Sequence, residues 1–103
     1  MTIGKLYNGS ITSLKWQSQV IKNEGDTAVD MTGWTISDES NKVYTFPSGF
    51  VLNANAKVIV YTGSGEDTQN KLYWGSNVPI WNNDHDTSYL RDDEGNLVDK
   101  WGW

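Results

Sequence analysis

The sequence has no cysteine, which excludes a disulfide framework, a thiolate metal site and a cysteine nucleophile, and removes any signal of redox compartment. It has one histidine, His85, so a single imidazole is available as a candidate general base. No apolar run approaches the roughly 20 residues of a membrane helix, and residues 1–8 lack the charged and apolar segments of a signal peptide. A soluble chain without a membrane span is therefore expected. Positive charge is also scarce. Eight basic residues stand against thirteen acidic ones, a net charge of -5, and they are scattered as Lys5, Lys15, Lys22, Lys42, Lys57, Lys71, Arg91 and Lys100. No basic stripe tracks a phosphate backbone, and nucleic acid is not expected as a partner.

What the chain has is aromatic residues. Only 37% of it is hydrophobic, but it holds six Trp, five Tyr and two Phe, each able to bury roughly 150 to 250 Å². At 103 residues it is long enough for one core without staples, and no repeat or linker divides it. One domain over residues 1–103 is expected.

Short stretches rich in Val, Ile, Thr, Tyr and Trp recur about every ten residues between Gly, Asn and Asp clusters, the spacing of a β-sandwich or barrel. No segment reads as helix. The first firm strand runs from Trp16 to Lys22, and the turn formers Asn23-Glu24-Gly25-Asp26 predict a hairpin after it. Gly33 leads into a strand where Trp34 and Ile36 share a face. Val43 to Phe46 follows a polar turn and is broken by Pro47-Ser48-Gly49. The continuous run Val58-Ile59-Val60-Tyr61 predicts a central strand covered on both faces. Residues 63–71 read as a mobile surface loop suited to insertion. Asp92-Asp93-Glu94-Gly95 turns the chain into a terminal hairpin.

Four ordered blocks carry a resemblance. They are Ile21-Lys22-Asn23 with residues 26–38, including Gly33-Trp34; Tyr44-Thr45-Phe46-Pro47 with Lys57 to Tyr61; Trp81-Asn82-Asn83-Asp84 with Asp86-Thr87; and Leu90 through Gly95 to Asp99. Together they resemble the lamin tail domain family over nearly the whole chain. The resemblance implies an all-β, immunoglobulin-like antiparallel sandwich of about seven to nine strands. The family occurs at the tail of nuclear lamins and in bacterial and archaeal proteins, often beside secreted or membrane-attached enzymes, and the domain is not itself a catalyst. A prokaryotic member is expected, for which an extracellular or cell-surface setting is favoured, the compartment itself being left open. The chain departs from a lamin in having no heptad rod, so filament formation is not carried over. His85 stands where many relatives have Gly.

Several local patterns suggest sharper chemistry. Asn82, Asp84 and Asp86 have the alternate spacing of calcium ligands, but Thr87 occupies the sixth position, where a calcium loop needs Gly, and Asn and Asp form turns without any metal. His85 between two aspartates suggests an oriented base, yet neighbouring strand residues face opposite ways and no nucleophile motif accompanies it. Asp38, Glu39, Asp92, Asp93 and Glu94 would serve glycoside hydrolysis only if folded into a pair, and read otherwise as solvated turns. Gly63-Ser64-Gly65 lacks the third glycine and the helix of a phosphate-binding loop. Asn8-Gly9-Ser10 is a glycosylation sequon, meaningful only in a eukaryotic secretory setting.

The tryptophans divide the functional readings. Trp74, Trp101 and Trp103 are the candidate binding residues, because flat aromatics on a sandwich stack on sugars as readily as they fill a core. Trp34, Ile36, Phe46, Ile59, Tyr61, Trp81 and Leu90 are the expected core. The reading favoured is a non-catalytic structural or protein-interaction module, an accessory unit of a larger surface or secreted protein. It uses no cofactor and binds a protein partner, with an exposed sheet edge as one means of contact. The alternative is a carbohydrate-binding module that uses exposed tryptophans on a polysaccharide, with or without a structural calcium ion.

Overall fold

Ten short strands form where apolar and polar residues alternate between turn formers. The computed structural model describes residues 5–8, 18–78, 80–81 and 85–102, and among these no helix occurs. The strands are β1 (Lys5–Asn8), β2 (Ser18–Lys22), β3 (Val29–Asp30), β4 (Thr35–Ser37), β5 (Val43–Thr45), β6 (Val51–Leu52), β7 (Lys57–Tyr61), β8 (Lys71–Tyr73), β9 (Thr87–Arg91) and β10 (Leu97–Gly102). Eight of them make two four-stranded sheets, ordered β1-β2-β7-β8 and β10-β9-β4-β5, and β3 pairs with β6 as a separate ribbon.

The core lies between the sheets. From the first sheet come Gln19, Ile21, Val58, Val60 and Leu72; from the second come Ile36, Tyr44 and Leu90. Cross-strand partners share a face. The pairs Ile21 with Val58, Val60 with Leu72, and Ile36 with Leu90 therefore fix the register, since a slip of one residue would turn every apolar side chain outward. Trp34, Phe46 and Trp81 are buried as expected.

Three expectations are corrected. Central strand β7 is not covered on both faces: Val58 and Val60 point inward, whereas Ile59 and Tyr61 are half-buried on the outer face, outside the core cluster. The two-residue strand period operates even within an apolar run of four. Residues 23–26 do not close a hairpin. β2 pairs with β1 and β7, and β3 with β6, so this turn carries the chain out of the first sheet. Finally, the sandwich is not wholly antiparallel, because β8 runs parallel to β7. Ile59 faces Lys71 and Tyr61 faces Tyr73, so the connection returns along only two residues of strand, a distance of about 7 Å, which residues 62–70 span easily.

Local chemistry sets the turns. Gly33 takes φ 78°, a left-handed conformation costly for residues with a Cβ, and the Trp34 N–H then donates to the Met31 carbonyl at 3.0 Å. This turn delivers Trp34 into the core. In β10 a bulge between Leu97 and Asp99 shifts the register, so that Trp101 rather than Lys100 stands opposite Ser88.

Candidate interaction surfaces

The aromatic residues form one contact chain across the sandwich. Trp81 meets Trp74 edge to face with centroids 6.0 Å apart, Trp74 lies 5.8 Å from Tyr44, Tyr44 5.5 Å from Phe46, and Phe46 5.9 Å from Phe50. Trp74 is half-buried and packs on the core, bridging the open side between the two sheets. Trp101 stands apart on edge strand β10, 40% exposed, and Trp103 lies outside the described residues. The fold thus separates Trp74 from Trp101. Burial also shields the Tyr44 hydroxyl and, with the charge of nearby Asp67, pushes its pKa up to about 12.

Four polar side chains, Asn23, Asp38, Asp86 and Asp92, are engaged by backbone groups. Asn23 is fully buried; its Nδ2 donates to the carbonyls of Leu52 at 3.0 Å and Thr27 at 2.9 Å, and its Oδ1 accepts the Gly25 N–H. The Asp38 carboxylate accepts the N–H groups of Ser40 and Lys42, capping the β4–β5 turn. Asp92 does the same for Glu94 and Asn96 in the β9–β10 turn, which holds its carboxyl below the usual range. In the register of β4 with β9, Asp38 and Asp92 fall at opposite ends of the strand pair, so they are not a catalytic couple.

The proposed calcium triad is only partly described. Asn82 and Asp84 lie outside the described residues, while Asp86 is buried and its Oδ1 accepts the N–H of Thr87 at 2.8 Å and of Glu39 at 3.2 Å. The Thr87 hydroxyl donates to Glu39 at 2.6 Å, so this corner is pinned to the β4–β5 turn. His85 is exposed.

The sheet edges differ. β1 and β10 come together at one side of the sandwich. On the other side, the loop of residues 62–70 covers β8: Asp67 accepts the outward N–H of Tyr73 at 3.0 Å, and the Thr68 N–H donates to the Lys71 carbonyl at 2.8 Å. That loop is exposed along residues 64–70, as expected, and is bonded to β8 through Asp67 and Thr68. Among the described residues no loop is bonded along β5 in this way. The Phe46 N–H donates to Trp34 and the Asp38 N–H to Lys42, so the alternating ladder turns Tyr44 toward β4 and the backbone groups of Val43 and Thr45 outward. Among the described residues nothing bonds those outward groups, and the Val43 side chain is 52% exposed. The sequence signal for this edge was the Pro47 that ends the strand; its openness depends on which strand pairs with which.

Two facing four-stranded sheets around one aromatic core define an immunoglobulin-like domain. The chain belongs to the Lamin Tail Domain family, whose profile matches residues 6–103. No curated protein matches it.

Proposed function

We propose that this domain is a non-catalytic protein-interaction module, an accessory unit of a larger protein, that receives an extended segment of its partner along the edge of β5. The observation that carries the reading is the pair of outward-facing backbone sites at Val43 and Thr45, which nothing among the described residues bonds. Unpaired N–H and C=O groups on an edge strand are a template for another strand, with affinity from the main chain and selectivity from side chains at alternate positions. Val43 and Thr45 are β-branched, uncharged and exposed, so they suit an apolar or β-branched residue in the added strand. Asn23, Asp38, Asp86 and Asp92 are bonded to backbone groups that hold the turns.

The test is a library of extended peptides screened against the domain, with backbone amides and indole N–H signals followed by NMR. Saturable shifts centred on Val43 and Thr45, with slowed amide exchange there, support strand addition. Ligands that shift only indole signals, with oligosaccharides doing the same, would replace it with the sugar-binding reading.

A further inference from the structure

The lysines scattered through the sequence are gathered by the fold. Lys5 is the register partner of Lys22, and Lys22 of Lys57, so three lysines stand side by side on β1, β2 and β7. Strands are about 4.8 Å apart. Lys71, opposite Ile59 on β8, belongs to the same outer face, about 7 Å further along the strands. Four of the eight basic residues of the chain thus lie in one sheet, and its four strands contain no Asp or Glu. Lys57 and Lys71 are exposed and Lys22 is half-buried. Among the described residues the one lysine salt bridge is Lys42 with Asp38, on the other sheet.

Like charges directly opposite one another in a sheet are destabilising. Lys22 and Lys57, side by side with no carboxylate partner among the described residues, are in a chain of net charge -5 a local excess that a bound anion would neutralise. We propose that this face docks an acidic segment of a protein partner, with a helix bearing carboxylates laid across the strands. Carboxylates at i, i+3 and i+4 on a helix are about 5–6 Å apart, close to the spacing of lysines on neighbouring strands. One feature favours a protein over a nucleic acid: the aromatic pair of this face offers no stacking platform, because Tyr73 has Tyr61 stacked on it at 5.1 Å and the backbone of Gly65 packed against its ring. This surface is separate from the β5 edge, and the proposal does not depend on strand addition.

The experiment titrates the isotopically labelled domain with a helical peptide bearing Glu at i, i+4 positions along one face, and in parallel with oligothymidylate and polygalacturonate. The expected result is saturable peptide binding, with shifts at Lys22, Lys57, Ile59 and Lys71, weakening as salt rises. A Lys22→Gln/Lys57→Gln/Lys71→Gln variant, with the rest of its amide spectrum unchanged, binds about tenfold more weakly. No saturable peptide binding, peptide binding unchanged in the variant, or tighter binding of either other polyanion on this face would each overturn the proposal.

Discussion

Gly65 lies directly against the ring of Tyr73: a methyl group added at Gly65 would come within 2.5 Å of a ring carbon. This contact seats the loop of residues 62–70, and the seated loop brings Asp67 to the Tyr73 N–H and Thr68 to the Lys71 carbonyl. One glycine, without unusual backbone angles, is what lets the chain cover its own β8 edge.

Replacing that glycine should therefore uncover β8. In Gly65→Ala the ring or the loop must move, at a cost of about 1–3 kcal/mol typical of overpacking. Amide exchange at Tyr73 should speed up, and sedimentation should show association that the wild type lacks. An unchanged Tyr73 exchange rate would mean that the loop does not depend on this contact.

Asn23 is the buried clasp between the end of β2, the following turn and Leu52 of β6. Asn23→Ala removes the buried amide that bonds the Leu52 and Thr27 carbonyls and the Gly25 N–H, which costs about 2 kcal/mol. For a domain of this size the melting temperature should fall by about 10 °C. Denaturant unfolding followed by tryptophan fluorescence measures it; a loss below half that size would show that water or a neighbour substitutes for the amide.

Tyr44 links stability to alkaline pH. Its pKa is about 12 in the folded domain and 10.0 ordinarily, so the unfolded chain releases this proton first as pH rises. The stability linked to Tyr44 is fully present below pH 10 and is lost as pH climbs toward 12. Tyr44→Phe should flatten that decline in urea melts between pH 9 and 12. An unchanged slope would place the alkaline sensitivity elsewhere.

Much of the fold was legible because its signals are local. Gly33 before Trp34, the Asp92 to Gly95 turn and the breaker Pro47 each name a boundary that the structure keeps. Pairing was less legible: nothing local says that Lys71–Tyr73 runs parallel to Lys57–Tyr61, or that residues 23–26 lead out of the sheet. Ile59 and Tyr61 were misplaced because four apolar residues in a row conceal the strand period. The lysines looked scattered for the same reason, since Lys5, Lys22, Lys57 and Lys71 come together only through register. Of the candidate tryptophans, Trp74 reads as core or surface alike until Tyr44 and Trp81 are seen beside it.

The central claim is that a partner segment adds to β5, and a proline placed on that edge tests it most directly. Thr45→Pro removes an outward N–H that β4 does not use, so the fold, checked by its amide spectrum, should persist. The measurement is the affinity of this variant for a peptide selected on the wild-type domain. The account predicts a loss of about tenfold or more, as expected when an added strand loses a main-chain hydrogen bond and meets the proline ring. Wild-type affinity in a folded Thr45→Pro variant would contradict it.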